Sequence, residues 1–285
     1  GSYGTGLDII EKDGSISSYG IKDGLDMGTI VTIFEAPDGT IYLGGYNKPL
    51  AFYSDGRFTT FTKEGILKNR TIWAIDMDKD GSILLGTDGS GLVKMKDNEF
   101  SVVDSTKGLS DDKVTSIYRD RSDILWIGTY DNGINIIRPD GTISHIKKEN
   151  GLFDNTVYAI VEDNENNIWM SSNRGLFYIT RADALDVADK KTTRISSKVF
   201  SWKDGMPSNE CNGGFQKAGI KTTDGRLMFP TIKGIAVMDP SLKKGALFMP
   251  DPVVTDIFVD GSKKAVADKY ELDPDSSKIR VEFTA

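Results

Sequence analysis

A five-residue pattern recurs along the chain and limits its fold more than any other feature. IYLGG (41–45), ILLGT (83–87), LWIGT (125–129), IWMSS (168–172) and LMFPT (227–231) are variants of one segment, with starts 42, 42, 43 and 59 residues apart. A glycine–apolar pair precedes each: Gly24-Leu25, Gly65-Ile66, Gly108-Leu109, Gly151-Leu152 and Gly205-Met206, spaced 41, 43, 43 and 54. Two markers in one register over five units exclude coincidence. Self-similarity at such a period marks a solenoid or a propeller.

Within a unit the pattern alternates. In the third, Val114 and Ile117 precede a polar turn at 121–123, and the run 125–129 follows. Then come Ile134 to Ile137, a turn at Pro139-Asp140-Gly141, and Thr142 to Ile146. Each run is rich in β-branched or aromatic residues and is bounded by Gly, Asp, Asn or Pro. A unit therefore reads as four short strands, a to d, joined by tight turns. Just before each b strand stand Asp38-Gly39, Asp80-Gly81, Ser122-Asp123, Glu165-Asn166 and Asp224-Gly225. Such pairs tolerate the positive φ of a tight hairpin.

A four-stranded meander cannot bury both faces alone, but stacked on neighbours around an axis it can. The nearly continuous apolar b strand suits burial on both sides. These readings give an all-β chain: a β-propeller of four-stranded antiparallel blades, with units near 24–64, 65–107, 108–150, 151–204 and 205–249. A partial blade at 1–22 has strands c and d only. A solenoid is the competing arrangement, and four hairpin-joined strands per unit favour blades. Unit four carries an insertion, 181–197, whose Ala182–Ala188 suits one or two helical turns. No d strand is evident in unit five. After Met249-Pro250-Asp251-Pro252 the repeat ends, and 253–259 and 278–283 read as strands of a further β domain over 251–285, too short to stand alone.

Composition removes whole classes of chemistry. Of 285 residues one is His (His145) and one is Cys (Cys211). An intrachain disulfide, a multi-cysteine zinc site and a zinc site of several imidazoles are all excluded. A Ser-His-Asp triad would have to run through His145, in the polar stretch 144–150. The net charge of −7 opposes a nucleic-acid partner, because phosphates need clustered Lys and Arg. No apolar run is long enough for a membrane-spanning helix, and no signal-peptide pattern is present. The chain opens on Gly1-Ser2 and is expected to be an excised part of something longer.

Asp76-Met77-Asp78-Lys79-Asp80-Gly81 opens like a calcium loop, but Thr87 stands where that loop needs a bidentate Glu. The register also puts Asp76 at the strand position of Tyr118 and Val161, so the segment reads as an ordinary a–b hairpin with extra acids. No catalytic residue, metal or cofactor is expected.

Units of the form GL…V..I..D..G.LWIGT..GL resemble the two-component regulator propeller repeats, and Gly108-Leu109 through Thr129 is the best copy. The segment from Asn209-Glu210-Cys211-Asn212-Gly213-Gly214 through Phe229-Pro230-Thr231 to Met238-Asp239-Pro240 is similar to the last blade of that family. Pro250 to Gly261 is similar to the start of the triple-tyrosine immunoglobulin-like domain that follows it. The resemblance implies a periplasmic or extracellular sensor of a membrane-anchored receptor. It places a transmembrane helix and a histidine kinase or diguanylate cyclase outside this chain, so that this fragment is no enzyme and meets a membrane only through other segments. The family's propellers typically have seven blades. Five and a half units leave a blade edge uncovered, which is expected to close imperfectly or to pair with a neighbouring chain as a homodimer.

Successive turns of a meander alternate between its two ends. The d–a and b–c connections therefore share one face, and the a–b and c–d turns share the other. The first face carries variable polar and aromatic residues, where binding usually lives. From it come the candidate contacts to a small molecule or oligosaccharide: Arg70, Trp73, Asp112, Tyr130 and Asn155, with Tyr158, Arg174, Asn209, Glu210 and Asn212. The plainer reading of each is local, because loop Asn and Asp residues cap turns. Trp73 and Tyr158 suit core packing as well as a channel mouth; Trp126 and Trp169, inside b strands, are core. The Asn209–Asn212 cluster is the most distinctive. The competing functions are a propeller enzyme, such as a lyase or glycan hydrolase, and a pure interaction scaffold. A retaining glycosidase needs two carboxylates about 5 Å apart, and no acid pair stands out in register.

Overall fold

The computed structural model describes residues 1–61, 65–97, 99–242, 253–265, 267, 269, 272, 274, 275 and 278–284. The chain divides into two compact units, Gly1–Pro240 and Ser241–Ala285. The boundary expected at 250/251 lies outside the described residues.

In the first unit, β1 (Leu7–Ile10) and β2 (Ile16–Tyr19) form a half-blade. Blade one is β3 (Ile30–Glu35), β4 (Ile41–Gly45), β5 (Lys48–Ser54) and β6 (Arg57–Thr60). Blade two is β7 (Ile72–Met77), β8 (Ile83–Thr87), β9 (Leu92–Lys96) and β10 (Glu99–Val103). Blade three is β11 (Val114–Arg119), β12 (Leu125–Thr129), β13 (Ile134–Ile137) and β14 (Ile143–Ile146). Blade four holds β15 (Ala159–Glu162), β16 (Asn167–Ser172), β17 (Gly175–Thr180), the inserted helix α1 (Arg181–Ala188) and β18 (Lys198–Phe200). Blade five shows β19 (Ile220–Lys221), β20 (Leu227–Thr231) and β21 (Gly234–Met238) among the described residues. Every blade is an antiparallel meander in chain order. The second unit is one sheet, with β22 (Val253–Val259) between β23 (Ser262–Lys264) and β24 (Ile279–Thr284).

Turn chemistry explains the strand boundaries. The second residue of every a–b turn is left-handed: Gly39 at φ 85°, Gly81 at 80°, Asp123 at 65°, Asn166 at 62° and Gly225 at 90°. The glycines of the Gly–apolar pairs also have positive φ. Those at 24, 108, 151 and 205 each close a short 3-10 turn. The apolar partner then plugs the core, as Leu25, Leu109, Leu152 and Met206 do. Unit two departs by one residue: Leu67 is buried and Ile66 is exposed.

Blades meet through a close backbone approach. A Cβ on Gly44 would stand 2.8 Å from the carbonyl oxygen of Ile72; on Gly86, 2.9 Å from that of Val114; on Gly128, 2.8 Å from that of Val157. Each of these carbonyls lies at or just ahead of the start of the next blade's inner strand. The glycine of the five-residue pattern is therefore a contact requirement as well as a sequence marker. On either side of it the b strand packs both ways. Trp126 joins the core shared with blade four, while Leu125 and Ile127 join the core shared with blade two.

A buried acid organises the a–b turns of blades three and four. Asp120 accepts the N–H groups of Ser122 (2.8 Å) and Ile124 (3.0 Å), Trp126 Nε1 (3.1 Å) and Arg181 Nε (2.7 Å). Asp163 repeats this with Glu165, Asn167 and Trp169 Nε1 (2.7 Å). Burial pushes the Asp120 carboxyl up, but these donors outweigh it and hold the group below the ordinary carboxylate range.

Residues 212–219 tie the first unit across its axis. Gln216 N donates to Val31 O (3.2 Å), and its Oε1 accepts from Thr32 Oγ1 (2.7 Å) and Ile75 N (2.5 Å). Two blade faces are nonetheless left open. On blade five Ile235 is 61% and Val237 48% exposed, whereas Ile134 and Leu176, at the position of Ile235, are fully buried. On the half-blade Ile10 and Ile16 are exposed.

Two outcomes are expected. Gly128→Ala, which drives a methyl group into Val157 O, should cost about 1–3 kcal/mol and lower the melting temperature by roughly 2–4 °C per kcal/mol. Unchanged melting would show that the blades do not depend on this approach. Asp120→Asn should cost about 1.5–3 kcal/mol at neutral pH. Because the folded-state value is depressed, this stabilisation is complete above about pH 4 and is lost as pH falls through the folded value. The melting difference between wild type and variant should therefore shrink in strong acid. A pH-independent difference would contradict the assignment.

Candidate functional site

Inner strands β7, β11 and β15, with Phe34 of β3 and residues 216–221, line a cavity of about 320 Å³. It runs from Tyr158, just ahead of β15, to Glu162 at its end. The Gly-Leu loop face lies at the Tyr158 end.

One of the sequence candidates, Tyr158, lines that end of the cavity, and two others, Trp73 and Tyr130, lie outside its lining on the same loop face. Trp73 and Tyr158 occupy the same position in their units, and Tyr130 comes from the b–c loop between them. The Trp73 and Tyr130 rings are stacked, 6.2 Å apart and 29° from parallel. Lys113 Nζ lies 5.3 Å from the centre of the Tyr130 ring. Asn173 Nδ2 donates to Tyr158 Oη at 2.9 Å. Burial, then the neighbouring Tyr130, raises the Tyr158 hydroxyl above its usual pKa. A side chain at position 213 would collide with the Tyr158 ring, so Gly213 lets the 212–219 segment pass beneath it. Tyr46 (55% exposed) and Tyr130 (46%) add aromatic surface to the same face.

Other candidates are spent on holding loops. Asp112 accepts the N–H of Ser105 (2.6 Å), Asn155 that of Lys148 (2.9 Å) and Asn209 that of Trp202 (2.6 Å). Each stands four residues after the unit's turn glycine and caps the backbone seven residues earlier. Arg70 Nη1 donates to Asp88 O at 3.0 Å, bridging two loops of its own unit. Arg174 is exposed and lies 5.0 Å over the Phe153 ring. Glu210 and Asn212 carry exposed side chains, while their backbones pair with Ile232 N and Pro230 O. Cys211 between them is buried in the core of blades four and five, and burial pushes its thiol up to about 11, far from a reactive thiolate.

The far end of the cavity was not among the candidates. Tyr118 Oη donates to Glu162 Oε2 at 3.2 Å across the blade three–four seam, and Glu162 is buried. Burial holds the Asp76 carboxyl above the ordinary range, opposed by the charges of Arg119 and Lys217. Glu162 thus has a partner on the neighbouring blade and serves as an inter-blade polar link, whereas Asp76 accepts the N–H of Met77 in its own strand at 2.9 Å. Asp76 could have been found, because its position is aromatic or aliphatic in units one, three and four (Phe34, Tyr118, Val161). Gln216 carries no such signal. Among the described residues no cluster of His, Cys, Asp and Glu is arranged to hold a metal ion. None of the helices among them is long and apolar enough to cross a membrane.

Residues 108–131 and 151–174 match the family pattern described as "Two component regulator propeller", covering the openings of units three and four. No curated protein sequence matches the chain. Among solved structures, the extracellular domain of BT3049 from B. thetaiotaomicron, assigned to a hybrid two component system, is 17% identical, with a TM-score of 0.53. The alignment covers 98% of this chain and 41% of that one, so this chain spans less than half of its length. Virginiamycin B lyase from Staphylococcus aureus is 14% identical, with a TM-score of 0.58 over 84% of this chain and 79% of the lyase. PorZ, a surface component of the type-IX secretion system of Porphyromonas gingivalis, is 14% identical, with a TM-score of 0.50 over 81% and 41%. At these identities the likenesses show the fold, a β-propeller.

The loop caps and the mouth should separate experimentally. Asp112→Ala and Asn209→Ala should each lower stability by about 1 kcal/mol, read in urea melts. Trp73→Ala, at the half-buried mouth, should quench part of the tryptophan fluorescence and leave the far-ultraviolet circular dichroism unchanged. Melts unaffected by the cap substitutions would return Asp112 and Asn209 to the candidate ligand contacts.

Proposed function

We propose that this chain, which carries two-component regulator propeller repeats, is an extracytoplasmic sensor propeller of a membrane-anchored receptor of the histidine kinase or diguanylate cyclase type. A small molecule or oligosaccharide binds at the Trp73–Tyr130–Tyr158 mouth. The observation that carries this reading is the stacked Trp73–Tyr130 pair on the loop face together with half-buried Tyr158, which lines the axial cavity. Aromatic faces with a few polar groups at the edge of a concave site are the usual composition of a ligand pocket.

The site also supplies a route from binding to response. A ligand that shifts Tyr158 presses on Gly213, and the segment from there holds Val31, Thr32 and Ile75 through Gln216. Occupancy then favours one arrangement of blades one, two and five over another, as a binding-driven population shift requires.

A lyase is the second reading, favoured by the similarity to the S. aureus enzyme. A variant of that lyase with one histidine replaced by alanine is catalytically inactive. This chain's one histidine, His145, is exposed on β14, the outermost strand of blade three. Histidine chemistry in the axial cavity has no residue to run through, which weighs toward binding.

Thermal melting against a panel of mono- and oligosaccharides and small aromatic compounds tests the proposal. A ligand at a hundred times its Kd stabilises by about 2.7 kcal/mol, a rise of roughly 5–10 °C for a domain of this size. Trp73→Ala and Tyr158→Ala should weaken that ligand at least tenfold. Steady turnover of a panel compound by the purified chain would replace the sensor reading with the enzymatic one.

A further inference from the structure

Asparagine precedes glycine at three places, Asn132-Gly133, Asn150-Gly151 and Asn212-Gly213. In such a pair the glycine nitrogen can reach the asparagine side chain, because no Cβ hinders its approach. In a folded chain the outcome turns on whether the two groups are free to meet. Gly133 N donates to Asn155 O at 2.8 Å, and the Asn132 carboxamide bonds Asp111 (3.1 Å) and Lys147 (3.4 Å). Gly151 N donates to Lys148 O at 2.9 Å, and the Asn150 carboxamide is held by Lys147 N (3.0 Å) and Thr193 O (3.2 Å). Nucleophile and target are both occupied in these two pairs.

The third pair is held at neither group. Among the described residues, no hydrogen bond reaches the Gly213 N–H or the Asn212 carboxamide. The Asn212 side chain is exposed, and the pair lies outside every strand and helix. Its position gives it leverage. Asn212 N is anchored to Pro230 O at 2.9 Å, and the pair opens the segment whose Gln216 holds Val31, Thr32 and Ile75. Gly213 passes so close to Tyr158 that a Cβ on it would stand 1.9 Å from the ring.

We propose that Asn212 is a site of spontaneous deamidation, and that the change loosens the Gln216 tie. Solvent base takes the Gly213 N–H proton, and the nitrogen attacks Cγ of Asn212. The Cγ–Nδ2 bond breaks, and ammonia leaves with a proton from water, giving a cyclic succinimide. Water then opens the ring at the Cγ carbonyl to give aspartate, or at the main-chain carbonyl to give isoaspartate. Water and base are the only co-reactants, and nothing is oxidised or reduced. Either product adds a negative charge beside the Glu210–Asn212 run. Isoaspartate also routes the main chain through Cβ and Cγ, which lengthens it by a methylene just ahead of Gly213. The close passage at Tyr158 has no room for that length, so the displacement falls on Gln216 and its bonds to blades one and two. The chemistry stands whether or not the mouth binds a ligand.

The test is to hold the intact chain in warm, mildly alkaline buffer, digest samples in acid and map them by mass spectrometry. Asn212 should gain the mass difference between an amide and an acid roughly tenfold faster, or more, than Asn132 and Asn150, whose groups are kept out of the attack geometry. Part of the product should accept a methyl group from an isoaspartyl methyltransferase. In the urea-unfolded chain all three should convert at similar rates, because the dipeptide is the same. The deamidated form, separated by anion exchange, should melt below the unmodified form. Asn212→Gln, whose longer side chain cyclises far more slowly, should keep its melting temperature through the same incubation. Conversion of Asn212 no faster than that of Asn132 or Asn150 in the folded chain would overturn the site. Equal melting of the deamidated and unmodified forms would overturn its effect on the tie.

Discussion

The propeller depends on how close one blade's backbone can come to the next. At Gly44, Gly86 and Gly128 the missing side chain makes room for a carbonyl of the following inner strand. That approach sets the spacing at which the apolar faces of successive blades interlock. If it is widened, Trp126, Ile134 and their partners lose contact together, because a packed core does not stretch. Blade four uses Ser171 and blade five Pro230 at this position. Strict glycine therefore holds at Gly44, Gly86 and Gly128 but not in blades four and five.

Much of this architecture was legible because its causes are local. Positive φ at Gly39, Gly81, Asp123, Asn166 and Gly225 follows directly from residue types that tolerate it. The period counts blades, and the alternation within a unit names the strands. The inserted helix was visible as a run of helix-forming residues, but not its purpose, since Arg181 meets Asp120 from another unit. The tie at Gln216 could not be read at all. An isolated glutamine says nothing about which of 284 other residues its amide will reach, because that choice is made by ring geometry.

The candidate site was legible in part for the same reason. Trp73 and Tyr158 share a repeat position, so the sequence already put them on one rim, and Tyr130 lies between them. Asp112, Asn155 and Asn209 share a repeat position too, and that is better read as a structural signature: a residue demanded by every unit closes every unit's loop. Positions that vary among units, such as Tyr46, Asp88, Tyr130 and Asn173, are where recognition can differ without loss of the turn. Asp76 and Glu162 show a further limit. Acids on inner strands suggest chemistry, yet Glu162 is held by Tyr118 across the seam and Asp76 by the N–H of its neighbour Met77.

The Gln216 tie has a consequence for assembly. Most contacts in a repeat protein are between neighbours, and such a chain can fold progressively as it lengthens. The Thr32–Gln216 bond joins residues 184 apart in sequence. The inner edge of blade one therefore waits, unpaired at Val31 and Thr32, until residue 216, 184 positions after Thr32, has been synthesised. Closing so long a loop adds little to its cost in free energy, but contacts of this range slow folding. During that interval the first blades carry an open hydrogen-bonding edge along the axis, where a nascent chain is most exposed to pairing with the wrong strand.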